Sequence, residues 1–224
     1  MGLVSVDQRK RADIIVDKKA TCSAKNKKTL VLIGSSTGGP QALFEIIPKM
    51  PGDVQASFLV VQHMPPGFTK KLANRLDQSS AILVKEAEDG EKVETGTAYI
   101  APGGYHLQIH QKKKTGEIYV GLSSGEMVNG CRPSVDVLLY SAAKLEDYKL
   151  ICVILTGMGR DGYQGIKLLK EKGAQIIAED QTTAIVYGMP KVVIEANLSD
   201  YVVPLPLIAQ QILWGKSTLF RTVC

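Results

Sequence analysis

Short, continuous apolar runs alternate with amphipathic segments along most of this chain, and this alternation restricts the fold more than any other feature. Strands that are apolar along their whole length are typical of a parallel sheet covered by helices on both faces. The apolar runs occupy residues 29–33, 56–62, 150–156 and 174–179, and the helical segments between them include 40–50, 67–78 and 161–172.

One predicted hairpin interrupts the alternation. Residues 105–111 and 117–123 are strand-like and flank the charged turn KKKTG, so they are expected to pair antiparallel. The predicted fold class is therefore α/β: a doubly wound, mostly parallel sheet with helices on both faces and an antiparallel hairpin.

The composition is that of a globular protein. With 224 residues, 45% hydrophobic and 22% charged, the chain can bury a core without disulfides or metals. Residues 1–28 are polar and basic without a sustained period, which predicts a linker or flexible arm before one domain over 29–224. No apolar run approaches the roughly 20 residues that span a bilayer, and no signal-peptide core is present, so we expect a cytoplasmic protein without membrane insertion.

Cysteine spacing and charge narrow the function classes further. Cys22, Cys131, Cys152 and Cys224 are scattered without a C-x-x-C pair, so the spacing predicts neither a zinc site nor a disulfide framework. The net charge of +5 is modest and the basic residues are spread along the chain among few aromatics. Nucleic-acid binding is therefore not expected, whereas an acidic protein partner stays open.

Three loops follow predicted strands and carry reactive side chains. They are GSSTGG at 34–39, HMPPGF at 63–68 and TGMGRDG at 156–162. Functional groups of open α/β sheets gather at the carboxyl ends of the strands, where loops lead into helices. The three loops are therefore the predicted location of the site.

A nucleotide site is the first interpretation of a strand, a glycine-rich turn and a helix. The spacing of Gly34, Gly38 and Gly39 does not match the dinucleotide fingerprint G-x-G-x-x-G, and the G-K-[ST] of a P-loop is absent. The second strand ends in Gln62 and His63 instead of a ribose-binding acid. These differences argue against a nucleotide cofactor.

The same turn matches G-x-S-x-G with Ser36 at its centre. Small flanking residues let the backbone turn sharply, which exposes the hydroxyl and directs a neighbouring N–H toward a carbonyl oxygen. The competing interpretation is a helix N-cap, the commoner role of a serine before a helix.

A serine nucleophile needs a histidine base and an acid that orients the histidine. His63 ends a predicted buried strand, and Asp161 follows a third strand, although a structural histidine and a second N-cap are the alternatives. His106 and His110 lie in the hairpin beside three lysines, where a solvated surface role is expected. Ser36, His63 and Asp161 are thus the candidate triad.

At this point the sequence resembles the bacterial chemotaxis protein-glutamate methylesterase family, from Thr29 to about Trp214. The motifs that carry the resemblance are LVLIGSSTGGPQAL, VVQHMPPGFTKKLANRL, KEAEDGEKV followed by GTAYIAPGGYHL, CRPSVDVLLYSAA, VILTGMGRDGYQGIKLLKEKGA and AEDQTTAIVYGMP. The family's serine, histidine and aspartate fall on Ser36, His63 and Asp161. The resemblance also implies that Thr37 lines the site and that the Met158 backbone N–H stabilises the oxyanion.

The resemblance implies hydrolysis of glutamyl methyl esters on the cytoplasmic helical region of chemoreceptors, with release of methanol. Deamidation of particular receptor glutamines is implied as well, and neither a cofactor nor a metal is expected. Family members usually carry an N-terminal receiver domain, and the first 28 residues are too few to form one. A chain without a receiver is expected to have an open site.

Docking on an acidic receptor surface is a further expectation. Arg132 in CRPSVD and the neighbouring lysines Lys70 and Lys71 are the candidates, and a solvated helix face is the alternative for the lysines. A catalytically silent module that only docks on receptors, with the same fold, is the alternative to an enzyme.

Overall fold

The structure is a computed structural model and describes residues 27–214, which contain nine β-strands, six α-helices and one short 3-10 helix. The strands are β1 Lys28–Ser35, β2 Ala56–Gln62, β3 Leu83–Glu86, β4 Thr97–Ile100, β5 His106–Gln111, β6 Ile118–Ser123, β7 Tyr148–Ile154, β8 Gln175–Glu179 and β9 Tyr201–Val203. The helices are α1 Gly39–Ile46, α2 Phe68–Asp77, α3 Val135–Ala142, α4 Tyr163–Glu171, α5 Met189–Glu195 and α6 Leu205–Trp214, and the 3-10 helix is Ile47–Lys49.

Seven of these strands form one parallel sheet in the order β3-β4-β2-β1-β7-β8-β9. The hairpin β5-β6 forms a separate antiparallel sheet. The predicted α/β fold class, with its parallel sheet and its hairpin, is confirmed. Because β1 lies between β2 and β7, the loops after these three strands meet at one edge of the sheet.

Two hydrophobic cores lie on opposite faces of the sheet. Side chains alternate along β1, so that Leu30 and Leu32 join one core while Val31 and Ile33 join the other. The first core is completed by α3, α4, α5 and the hairpin, and the second by α1, α2 and α6. Burial on both faces explains why the central strands are apolar throughout.

Glycines allow the sharp turns from strand to helix near the site. Gly38 precedes α1 with a φ of 85°, and Gly162 precedes α4 with a φ of 94°, in the left-handed region that favours glycine. A Cβ on Gly162 would also lie 2.8 Å from a methyl group of Val135. Both glycines therefore lie against neighbouring side chains.

The predicted arm over residues 1–28 lies outside the described residues except for its last two, and β1 already begins at Lys28. No helix within residues 27–214 is long and apolar enough to cross a bilayer.

Candidate active site

Backbone hydrogen bonds tie the three predicted loops together. The Ser36 N–H donates to the Thr156 carbonyl at 3.0 Å, and the His63 N–H donates to the Ser35 carbonyl at 3.1 Å. Ser36 is half-buried and packs against Gly157, where an added Cβ would lie 2.7 Å from the Ser36 Cβ. The loops that carry the serine, the histidine and the aspartate thus adjoin at the sheet edge.

Gln62 fixes the relative position of two of these loops. Its Nε2 donates to the Ser36 carbonyl at 2.9 Å and to the His63 carbonyl at 3.1 Å, and its Oε1 accepts the Ser35 hydroxyl at 2.7 Å. The residue is only 2% exposed. This role of Gln62 was not predicted from the sequence, although a polar residue that ends an apolar strand was the available signal.

His63 and Asp161 form a hydrogen-bonded pair. His63 Nε2 lies 2.8 Å from Asp161 Oδ2, and the other ring nitrogen, Nδ1, lies 3.5 Å from Cys131 Sγ. The Ser36 hydroxyl makes no hydrogen bond to any residue in 27–214. Because Asp161 occupies Nε2, Nδ1 is the ring nitrogen that is available to accept a proton.

Asp161 is nearly fully buried, and both of its carboxylate oxygens accept hydrogen bonds. Burial alone would raise its pKa, but the hydrogen bonds from His63, Asn129, Ser134 and Val135 together hold its pKa below the usual value. Oδ2 accepts from His63 Nε2 and the Val135 N–H, and Oδ1 accepts from Asn129 Nδ2, Ser134 Oγ and the N–H groups of Asp136 and Gly162. The carboxylate is therefore ionised and held in one orientation.

The predicted surface role of His106 is wrong. Its side chain is 3% exposed, Nε2 donates to the Glu126 carbonyl at 2.8 Å, and Nδ1 accepts the Ser134 N–H at 3.2 Å. Since the Ser134 hydroxyl in turn donates to Asp161, His106 helps to hold Asp161 in position through Ser134. The segment that covers His106 is distant in sequence, so the strand pattern did not reveal its burial. His110 is exposed, as expected.

Thr37 follows Ser36 in the first loop, and Met158 follows Gly157, the residue of the third loop that packs against Ser36. Thr37 is exposed, and its carbonyl accepts the Thr156 hydroxyl at 2.9 Å. The Met158 side chain is 71% exposed. Within residues 27–214 the backbone N–H groups of Thr37 and Met158 make no hydrogen bond, so both remain available to an oxyanion.

Glu179 is a buried carboxylate next to the third loop, and its role was not predicted from the sequence. It is fully buried, accepts the Thr156 N–H at 2.7 Å and accepts the Thr183 hydroxyl at 3.2 Å. Burial raises its pKa. Because Thr156 also receives the Ser36 N–H, Glu179 supports the serine through one intervening residue.

The predicted docking residues occupy different environments. Lys70 and Lys71 are exposed on α2. Arg132 is half-buried, and its Nη1 donates to the carbonyls of Ser124 and Gly125 at 2.9 and 2.7 Å. Arg132 also lines an open cavity of about 420 Å³ that His63 borders. The cavity provides a path from solvent to the imidazole.

The fold and the residues at its edge define a class, namely doubly wound α/β proteins with a serine, a histidine and an aspartate after three adjacent strands. Comparison with known families identifies one family within this class. The model of the family described as CheB methylesterase matches residues 31–212. The chain belongs to the CheB methylesterase family, and the resemblance stated from the sequence is confirmed.

Individual relatives agree with this assignment. The chain is 50% identical to a protein-glutamate methylesterase/protein-glutamine glutaminase of Syntrophomonas wolfei over 82% of this chain and 53% of the relative. The Thermotoga maritima protein of the same name is 50% identical, over the same shares. The chain therefore spans about half the length of these curated relatives. The crystal structure of the Thermotoga maritima CheB methylesterase catalytic domain matches with a TM-score of 0.80 and 49% identity, covering 83% of this chain and 97% of that one.

Proposed function

We propose that this chain is a serine hydrolase that removes methyl groups from glutamyl methyl esters in the cytoplasmic helical region of chemoreceptors. The names of its relatives, protein-glutamate methylesterase/protein-glutamine glutaminase, support this reaction. The single observation that carries the proposal is the 2.8 Å contact of His63 Nε2 with Asp161 Oδ2 beside the loop of Ser36.

In the first half of the proposed reaction, the Ser36 hydroxyl attacks the ester carbonyl while His63 Nδ1 accepts the hydroxyl proton. Asp161 stabilises the imidazolium that forms, because its ionised carboxylate accepts the Nε2–H throughout. The backbone N–H groups of Thr37 and Met158 donate to the oxyanion. Methoxide is a poor leaving group, so the imidazolium protonates it and methanol departs.

The second half hydrolyses the glutamyl-serine ester. His63 Nδ1 takes a proton from water, the hydroxide attacks the ester carbonyl, and the imidazolium returns the proton to Ser36. The products are a glutamate side chain and the free serine. A receptor glutamine follows the same route with ammonia as the leaving group, which accounts for the proposed deamidation.

The test measures methanol released from receptor membranes that carry radiolabelled methyl esters. We expect Ser36→Ala and His63→Ala each to lower the rate by at least about 10³-fold. His110→Ala is the matched control, because His110 is exposed on the hairpin, and it should retain the wild-type rate. Release of methanol by a folded Ser36→Ala protein at the wild-type rate would refute the assignment.

The same membranes distinguish the enzyme from the alternative of a silent docking module. A docking module would co-sediment with the receptors but release neither methanol nor ammonia. An enzyme releases methanol from methylated receptors and ammonia from receptors that carry glutamine at the modified positions.

A further inference from the structure

A third group lies against the proposed catalytic base. Cys131 Sγ is 3.5 Å from His63 Nδ1, and one ligand atom from each of Cys131, His63 and Asp161 lies within 4.8 Å of the others. Cys131 is half-buried and lines the open cavity that His63 borders, so an ion can reach both side chains from solvent. The proposed mechanism assigns no role to this thiol.

The separation of sulfur and nitrogen fits a tetrahedral zinc ion. Bonds of roughly 2.3 Å to sulfur and 2.0 Å to nitrogen at a tetrahedral angle place these two ligand atoms roughly 3.5 Å apart. The observed distance between Cys131 Sγ and His63 Nδ1 is 3.5 Å. By contrast, His63 Nε2 and Asp161 Oδ2 are 2.8 Å apart, which is a hydrogen-bond distance and shorter than the roughly 3.4 Å between two zinc ligands.

Asp161 is suited to hold the metal-binding histidine in place without binding the metal itself. Its two oxygens already accept six hydrogen bonds in total, including that from His63 Nε2. A histidine that binds a metal through one ring nitrogen commonly donates the other N–H to a carboxylate, which fixes the tautomer and the ring orientation. The pair of His63 and Asp161 has this arrangement, and the remaining ring nitrogen, Nδ1, lies 3.5 Å from Cys131 Sγ.

We propose that Cys131 Sγ and His63 Nδ1 bind a Zn²⁺ ion, and that the bound ion switches the enzyme off. Binding releases the thiol proton to solvent, forms a Zn–S bond and uses the Nδ1 lone pair, while water completes the coordination. Because the same lone pair accepts the Ser36 proton, metal binding and catalysis exclude each other. The inhibitory part rests on the proposed function, whereas the metal site itself rests on geometry alone.

The chemistry of the two ligands determines which metal ions can bind this site. A thiolate and an imidazole prefer Zn²⁺ and its neighbours in the transition series, and Co²⁺ occupies the same tetrahedral geometry. Mg²⁺ and Ca²⁺ prefer oxygen ligands and should not bind here. A specific site should therefore respond to Zn²⁺ and Co²⁺ but not to Mg²⁺ or Ca²⁺, whereas a general effect of divalent ions would not discriminate between them.

Cobalt provides the direct test of the ligands. All proteins in this experiment carry Cys22→Ser and Cys224→Ser, so that neither of these thiols, which lie outside the described residues, contributes to the signal. The protein with these two substitutions alone is called the background protein. We expect Co²⁺ to produce a near-ultraviolet thiolate charge-transfer band that Zn²⁺ abolishes by displacement. Cys131→Ser and Cys131→Ala should each remove the band, and His110→Gln should retain it. A band that is absent in the background protein, or unchanged in both Cys131 variants, would overturn the proposal.

Inhibition is measured on the same metal-free proteins, and each variant is compared with its own rate without metal. We expect Zn²⁺ to inhibit the background protein and Mg²⁺ to leave it unaffected. Cys131→Ala should raise the half-inhibitory Zn²⁺ concentration by at least about 10-fold. Loss of a residue that only hydrogen-bonds to a metal ligand already lowers metal affinity by about 10-fold or more, and Cys131 is proposed as a ligand itself. Equal sensitivity of the Cys131→Ala protein would overturn the inhibitory role. A cobalt band without any esterase activity would refute the proposed function but not the site.

Discussion

Replacing Asp161 by asparagine should disable the proposed base by reversing the tautomer of His63. An amide NH₂ at the Oδ1 position would face four hydrogen-bond donors, whereas at the Oδ2 position it faces only His63 Nε2 and the Val135 N–H. The second orientation is therefore preferred. The NH₂ then donates to Nε2, which moves the ring proton to Nδ1 and leaves no lone pair for the Ser36 hydroxyl.

The expected loss in kcat is on the order of 10³ to 10⁴, as in serine proteases whose triad aspartate is changed in the same way. This loss corresponds to about 4 to 5.5 kcal/mol of transition-state stabilisation. The Val135 N–H loses its acceptor in the variant, which should cost about 1–3 kcal/mol of unfolding free energy. The change in activity thus exceeds the change in stability.

The assay combines methanol release with two physical measurements. Urea unfolding defines conditions in which the Asp161→Asn protein is fully folded, and ¹⁵N NMR of the imidazole reports which ring nitrogen carries the proton. We expect an Nε2–H tautomer in the wild type and an Nδ1–H tautomer in the variant. Asp180→Asn is the matched control, because the Asp180 carboxylate accepts hydrogen bonds from the N–H and the hydroxyl of Thr182 and makes none to His63.

Two results would refute this reasoning. A folded Asp161→Asn protein that keeps more than about a tenth of the wild-type rate would show that His63 is not oriented by this carboxylate. An Nε2–H tautomer in an inactive variant would show that the loss has another cause.

Other perturbations give independent tests. Gln62→Leu removes the amide that bonds to the carbonyls of the nucleophile and the base, so kcat should fall about 10²-fold while KM changes little; a change confined to KM would contradict this. The raised pKa of Glu179 lies above the ordinary 4.5, so its neutral form is favoured in the fold, and its stabilising contribution is lost as pH rises through the raised value. Urea unfolding should therefore show wild type losing stability relative to Glu179→Gln as pH rises above 4.5, and a constant difference would argue against it. Charge reversal at Lys70 and Lys71 should raise KM for receptor more at low than at high salt, unlike reversal at Lys113, and salt-independent changes would exclude steering.

Local patterns in the sequence were sufficient to predict the fold class and four of the seven strands of the parallel sheet. The continuous apolar run of β2, residues 56–62, indicated a strand buried on both faces, and the structure places that strand over the same residues. Glycine-rich turns after apolar runs indicated the edge where Ser36, His63 and Asp161 follow neighbouring strands. Such predictions succeed because burial and turn chemistry depend on residues that are close together in the chain.

The tertiary structure alone decided how the side chains at that edge are paired. Cys131 approaches His63 across 68 positions of sequence, and Asp161 approaches it across 98. Contacts between distant segments also decide the burial of His106 and the ring nitrogen that faces Asp161. The same is true of the hydrogen bonds of Gln62 to Ser36 and of Thr156 to Glu179. No local period encodes these contacts, because hydrogen-bond geometry is set by where the packed elements bring their side chains together.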